Sequence, residues 1–331
     1  MAKSATIRDV AKAANVSPAT VSRAFVRPEK VDDATRERVL KTAAQLDYKP
    51  NKAARSLITG LTGNIGIVVP DLTNPFFPAI VRGIQARAEE LGFASLLVDT
   101  GEDAEKEAAA AARLAQQVDG LILCSPRMED DALIQLAAAH NIVMINRELL
   151  KIPAVTIDNQ GGIEKVVEHL KALGHQRIGY VAGPESSYSC VSRREAASAG
   201  LAAAGLEEVF IGSYEPSFDG GRAAAQQVLL SNVSAVMVYN DVMSLGLLNQ
   251  LAEYGISVPE DMTVIGFDDI EFASMSSPSL TTVHVPRQKV GTMAMSYLHE
   301  LMTSKDNEHE APAMVSTHFV FRGTSKRFSP A

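Results

Sequence analysis

From Asn64 onward, short apolar runs alternate with longer stretches of helical periodicity, and the alternation is completed twice. In the first series IGIVVP (65–70), FASLLVD, GLILC and VMI read as strands, with helices expected over 76–91, 105–116 and 130–140. In the second, RIGYVAG (177–183), VFIGS, AVMVYN and TVIGFDD read as strands, with helices over 193–204, 219–230 and 241–254. Strands apolar on both faces need helices on both sides, which implies parallel sheets in an α/β fold. Two series therefore predict two doubly wound lobes. Open sheets of this kind bind ligands beyond the carboxyl ends of their strands, so chemistry is sought in the loops that follow them.

The first sixty residues follow a different pattern. Thr6 stands three residues before Asp9, a capping-box spacing, and Ile7, Val10, Ala11 and Ala14 then share one helical face. Asn15 suits a left-handed turn position. Ser17 followed by Pro18 is an N-cap followed by the residue favoured at the first helical position, so a second helix starts there with Val21 and Ala24 turned inward. Ala19, Thr20, Ser22 and Arg23 are left facing out. A small, polar and basic outer face on the second of two crossed helices suits a DNA major groove. A third helix, capped by Asp32, is expected to carry Val39, Leu40, Ala43 and Leu46 inward and to end near Tyr48.

Charge is sorted in the same way. Residues 1–60 carry twelve Lys or Arg against six Asp or Glu, a net of +6, whereas the whole chain stands at −8. A basic headpiece on an acidic body directs only the headpiece toward phosphates. At 331 residues and 46% hydrophobic, the chain is long enough for more than one domain. Cys124 and Cys190 lie far apart with no regular spacing to His, which implies neither a disulfide framework nor a metal site. No export signal and no long apolar run is apparent, so a soluble cytoplasmic protein without membrane contact is expected.

Between the two patterns, PNKAARSLITGLTG (50–63) holds a possible short helix over 51–57. Small Ala53 and Ala54 beside Lys52, Arg55 and Leu57 are unusual for a plain linker. A helix that orders on DNA and wedges Leu57 between base steps would account for them. In the body, Asn74, Arg147, Arg193, Asn240 and Asp268 offer planar donors and acceptors near strand ends, and Phe76, Phe77 and Phe218 offer flat apolar walls. Polyols need both, because hydroxyls demand partners and ring C–H faces prefer an aromatic surface.

The order TIRDVAKAANVSPATVSRAF, RERVL, YKPN, AARSL, IGIVVPDLTNPFF, GH (174–175), AGP (182–184), ND (240–241), IGFDD and SLTTV resembles the LacI/GalR family of bacterial transcription regulators over essentially the whole chain. The resemblance implies a homodimeric regulator, a repressor by expectation, on a pseudo-palindromic operator of double-stranded DNA. It implies an all-α helix-turn-helix headpiece (1–49), a hinge (50–60) and a two-lobed periplasmic-binding-protein-like body (61–331). The first lobe is expected over about 61–160 and 288–325, and the second over about 161–287. Positions matching Pro18, Ala19 and Arg23 read bases in that family. Those matching Thr20, Ser22 and Tyr48 hold phosphates, and the one matching Leu57 intercalates. Thr6, Ser17, Asn51, Ala54 and Arg55 complete the expected DNA-facing set.

The body also resembles the periplasmic ribose-binding proteins. Asn74, Phe76 and Phe77 match their first pocket loop, Arg147 and Arg193 their two sugar-binding arginines, Phe218 their second-lobe aromatic, and Asn240 and Asp268 their second-lobe polar pair. Asp158 is placed in the same expected site. Asn146 stands where an Asp is expected and His284 where a Gln is. The effector implied is ribose or a related pentose, with a nucleoside or another sugar as the alternative. Read as a ligand group, Arg193 is expected to be dispensable for folding.

An enzyme is disfavoured. GLTGNIG (60–66) precedes a strand instead of following one, and no GxxxxGK[ST] occurs, so neither nucleotide-binding turn is present. No cofactor and no metal are expected. A sugar-transport protein fits the body but not the basic headpiece.

Overall fold

The computed structural model describes residues 5–26, 28–48, 61–303 and 313–328. The chain divides into two units, Met1–Gly63 and Asn64–Ala331. In the first, helix α1 (Ile7–Ala13) starts where the Thr6 N–H donates to Asp9 Oδ2 at 2.8 Å. Asn15 takes φ 53°, which turns the chain into α2 (Pro18–Val26), where Ser17 Oγ accepts the Thr20 N–H at 3.1 Å. Helix α3 (Asp33–Gln45) is capped by Asp32, which accepts the Thr35 N–H at 2.9 Å. Val10, Ala11, Ala14, Val21, Ala24, Val39 and Ala43 form the core of the three helices. Leu40 and Leu46, expected inside, are exposed. Leu40 lies a helical step away from the inward Val39–Ala43 line, and Leu46 falls beyond the last helical residue. Asp47, at φ 47°, bends the chain so that the Tyr48 N–H returns to the Ala43 carbonyl at 2.9 Å.

The second unit opens with β1 (Asn64–Val69), α4 (Phe76–Glu90), β2 (Ala94–Asp99), α5 (Ala104–Ala115), β3 (Gly120–Cys124), α6 (Asp130–Ala139), β4 (Ile142–Ile145) and β5 (Ala154–Ile157). The chain then passes into α7 (Asn159–Ala172), β6 (Arg177–Ala182), α8 (Tyr188–Ala204), β7 (Glu207–Ser213), α9 (Phe218–Leu230), β8 (Ala235–Val238), α10 (Asp241–Glu253) and β9 (Thr263–Ile265). After α11 (Glu271–Met275) and β10 (Thr282–His284), α12 (Arg287–Thr303) and β11 (Ala313–Val315) return to the first lobe. Strand β12 (His318–Val320) then pairs antiparallel with β10.

The first-lobe sheet runs β11-β5-β4-β3-β1-β2 and the second-lobe sheet β7-β6-β8-β9, all parallel. Chain order reverses at β1 in one sheet and at β6 in the other. The carboxyl ends of β1, β3, β6 and β8 therefore flank the two switch-point crevices. One expectation is corrected here: the segment up to 325 does not stay with the first lobe. Thr324 exchanges hydrogen bonds with Val264 at 2.9 and 2.6 Å, and the Phe328 N–H donates to the Leu173 carbonyl at 2.9 Å. The end of the described chain thus lies along the second lobe, which β9 leaves with an open edge.

Helices α9 and α10 approach so closely that a methyl group at Gly246 would collide with the Phe218 carbonyl, and one at Gly221 with that of Met243. Backbone atoms cannot swing aside as side chains do. Gly246→Ala is therefore expected to destabilise the body by about 1–3 kcal/mol in urea unfolding; an unchanged midpoint would show that the helices separate freely.

Candidate functional site

Two surfaces bring chemistry-bearing residues together. On the first unit, Thr6, Ser17, Pro18, Ala19 and Arg23 are exposed, with Thr20 and Ser22 half-buried beside them. Capping places the Ser17 and Thr20 hydroxyls 2.9 Å apart at the start of α2. Arg23 lies back along its own helix, its Nε donating to the Ala19 carbonyl at 3.2 Å. Tyr48 packs edge-on to Phe25 with 6.1 Å between ring centroids, and burial raises its phenol pKa. Arg38 Nε ties α3 to the turn through the Ala14 carbonyl at 3.1 Å. A polar and basic face thus rests on a rigid three-helix support. Asn51, Ala54, Arg55 and Leu57, with the rest of 50–60, lie outside the described residues.

On the second unit the cleft between the lobes gathers Asn74, Phe76, Phe77 and Asn146 from one side and Arg193, Asn240 and Asp268 from the other. Phe76 and Phe77 follow β1 and form a T-shaped pair at 5.2 Å. Asn74 Oδ1 accepts the Phe76 N–H at 3.0 Å and Asn240 Oδ1 accepts the Met243 N–H at 2.9 Å. Asn240 caps its helix and Asn74 holds the turn before α4, each through its amide oxygen, which leaves their NH2 groups as donors. Arg193, 2% exposed, donates to Asn159 Oδ1 at 3.0 Å, to the Tyr239 carbonyl at 2.8 Å and to Asp268 Oδ1 at 3.1 Å. Its guanidinium lies 3.6 Å from the Phe267 ring centroid. Burial pushes the Asp268 carboxyl up to about 6, against the pull of Arg193 and Arg287. The cleft as it stands leaves a cavity of about 20 Å³, room for one water, so holding a sugar requires the lobes to stand further apart than here.

Four expected residues do not reach this cleft. Arg147 turns the other way, donating to the Pro126 and Met128 carbonyls at 3.0 and 2.8 Å and pairing with Asp130. Asn146 before it adopts φ 60°, and this left-handed residue redirects the chain as it leaves β4. Phe218, 42% exposed, opens α9 and lines a separate apolar surface groove with Leu245, Leu248, Phe272 and Met275, while Pro216 takes the place at the cleft. His284 pairs with Asp269 at 2.7 Å and stacks on His318 at 4.4 Å, where β10 and β12 pair. Asp158 caps α7 through the Gly161 N–H at 2.8 Å.

The cleft also contains residues that the sequence patterns do not single out. Arg127, 6% exposed, lines the cleft from the loop after β3, with Glu102 and Ser125 beside it. Ser189 and Tyr239 line it from the second lobe, their hydroxyls 3.0 Å apart and each 3.0 Å from Ser187 Oγ. Sheet order supplies the missing signal: β3 adjoins β1 at the switch point, so the SPR segment after GLILC has to face the crevice. Among the described residues no group of three or more His, Cys, Asp or Glu could hold a metal ion, and no helix is long and apolar enough to cross a membrane.

Both units match known proteins. Residues 6–51 match the family described as bacterial regulatory proteins, lacI family, and residues 167–325 match a periplasmic binding protein-like domain. The chain is 34% identical over 330 residues to the HTH-type transcriptional repressor CytR of Escherichia coli (strain K12), covering 97% of this chain and 96% of that protein. It is 34% identical over 315 residues to the HTH-type transcriptional repressor PurR of Vibrio atlanticus (strain LGP32), covering 92% and 94%. The Lac repressor dimer bound to operator and the anti-inducer ONPF superposes with a TM-score of 0.86 at 29% identity, over 98% of this chain and 100% of that one. A lacI family regulator from Enterococcus faecium with bound ribose superposes with a TM-score of 0.72 at 27% identity, over 80% and 100%. A helix-turn-helix module and a two-lobed binding body, shared end to end with such proteins, define a transcriptional repressor and not an enzyme. The chain belongs to the lacI family of bacterial regulatory proteins.

Proposed function

We propose that the chain acts as a homodimeric repressor that holds a pseudo-palindromic operator through a headpiece (1–49) and hinge (50–60), and that its body (61–331) closes on ribose or a related pentose. The observation that carries the effector reading is the buried Arg193, fixed by Asn159, Tyr239 and Asp268 and facing the Phe76–Phe77 pair across the cleft. Hydroxyls find donors on Arg193, Asn74 and Asn240 and an acceptor on Asp268, and a furanose face finds the aromatic rings. The regulator from Enterococcus faecium with bound ribose supports the choice of sugar. On DNA, Pro18 and Ala19 make apolar base contacts, Arg23 pairs with a guanine, and Thr6, Ser17, Thr20, Ser22 and Tyr48 hold phosphates. Leu57 wedges the central step, with Asn51, Ala54 and Arg55 beside it. The apolar groove containing Phe218 and Met275 suits the dimer contact, since an apolar surface of this kind is costly to leave in water. The effector acts by favouring one of two dimer arrangements.

A thermal-shift series on the full chain with ribose, other pentoses, hexoses, nucleosides and purines tests the effector. Ribose is expected to stabilise the body, and stabilisation by a purine or nucleoside alone would overturn the choice. The Asp268 carboxyl adds a pH dependence. Its folded value near 6 lies above the usual 3.8, and a sugar hydroxyl that donates to it favours the ionised form. Affinity is then nearly full at about pH 7 and above, halves near pH 6 and falls to about one-tenth at pH 5. Calorimetric titrations at pH 5 and 7.5 check this, and equal affinities would exclude Asp268 as an acceptor.

A further inference from the structure

The Arg127–Glu102 pair lines the cleft, and its geometry says what kind of effector the cleft admits. Arg127 Nε and Nη2 donate to the two oxygens of Glu102 at 2.6 and 3.2 Å, and Nη1 donates to the Ser125 carbonyl at 2.6 Å. Glu107 fixes the loop from behind, one oxygen accepting the N–H groups of Arg127 and Met128 at 2.6 and 2.7 Å. Three of the five guanidinium N–H groups are thereby used, and two remain as donors on a side chain that lines the cleft. On the opposite lobe Arg193 pairs with Asp268 through a single N–H at 3.1 Å.

Charge along the cleft is balanced as a result. Its charged lining residues are Glu102, Arg127, Arg193 and Asp268, two of each sign, and each arginine is paired with a carboxylate of its own lobe. A second observation points the same way. Helices α4, α8 and α10 all begin beside the cleft, where an open helix N-terminus would be a ready anion site. Each already has one N–H of its start taken by a side chain of the protein: Asn74 accepts the Phe76 N–H, Ser187 the Cys190 N–H at 3.3 Å, and Asn240 the Met243 N–H. A phosphate drawn into this space loses its water and meets no cation free of a carboxylate.

We propose that the Glu102–Arg127 pair is a specificity element of the effector cleft, supplying hydrogen-bond donors at zero net charge so that an uncharged pentose is admitted and the same sugar bearing a phosphate is rejected. This rests on reading the cleft as the effector site. Arg127 donates to a sugar oxygen when the lobes close, and Glu102 denies that guanidinium to an anion.

Calorimetric titration of the full chain with D-ribose and with D-ribose 5-phosphate tests it. The unmodified protein is expected to prefer ribose at least 100-fold. Glu102→Gln leaves Arg127 unpaired and is expected to narrow that preference at least tenfold, with ribose 5-phosphate gaining affinity. Glu102→Asp keeps the charge and is expected to retain the discrimination even where overall affinity falls. Equal binding of the two sugars by the unmodified protein would overturn the inference while leaving a pentose-responsive repressor intact, as would an unchanged ratio in a folded Glu102→Gln protein. Binding of neither sugar would remove the pentose reading itself, and the inference with it.

Discussion

Arg193→Ala is expected to lower the unfolding free energy of the body by about 3–5 kcal/mol and to abolish any response to a sugar. Both effects come from one geometry. The guanidinium is buried, donates to Asn159, Tyr239 and Asp268, and lies against the Phe267 ring. Alanine leaves Asp268 buried with its ion-pair partner gone, Asn159 Oδ1 without that donor, and a void beside the ring. Asp268 then shifts further toward its neutral form, because the largest influence on it is already burial. The sequence-based expectation that folding would survive this change is therefore replaced: Arg193 is structural and ligand-facing at once. Urea unfolding of the two proteins measures the first effect, and titration at a temperature where the variant stays folded measures the second. A variant with unchanged stability would mean that Asp268 and Asn159 find other partners. A variant that still binds ribose normally would place the sugar elsewhere.

The second large effect is on DNA. Arg23→Ala is expected to lose about 1–3 kcal/mol of discrimination at one base pair of each half-site, counted twice in a dimer. Arg23 is exposed on α2, less than two turns beyond the Ser17 cap that orients the helix. Its contact with the Ala19 carbonyl is a single local hydrogen bond, which reaching a guanine would readily exchange. Quantitative binding to duplexes changed at each position should show the preference vanish at one symmetric pair of positions. Uniform weakening across all sequences would instead make Arg23 a phosphate contact.

Much of the fold is legible because local chemistry and global architecture agree. Thr6 with Asp9, Asn15, Ser17 with Pro18, and Asp32 each specify a helix boundary by capping or turn geometry, and the structure places those boundaries within a residue or so. Apolar strands alternating with helices likewise required parallel sheets. Helix α7 was harder to see, because NQGG at its start reads as a loop until Asp158 is recognised as its cap. The returning strand β11 and the paired β10 and β12 are three residues each, too short to show a period.

The cleft was legible only in part, and backbone direction explains why. Asn74, Phe76, Phe77, Asn146, Arg193, Asn240 and Asp268 are brought together. Arg127 and Arg147 follow adjacent strands, β3 and β4, and each comes after a left-handed residue, Ser125 at φ 45° and Asn146 at φ 60°. These turns send Arg127 into the cleft and Arg147 onto the carbonyls of the neighbouring loop. Residue type and position cannot distinguish the two arginines, because side-chain direction after a strand end depends on φ and not on composition. Phe218 follows the same lesson: opening α9, it points to the surface groove while Pro216 just before it meets the cleft.

Selection of bound fragments from a pool of random duplex DNA by the full-length protein bears most directly on the central claim, that a basic helix-turn-helix headpiece reads DNA as a symmetric pair. The expected outcome is one enriched inverted repeat, with a guanine at the same place in both half-sites and binding that weakens steeply with salt. Recovery of no sequence preference, or of a lone asymmetric site, would contradict it.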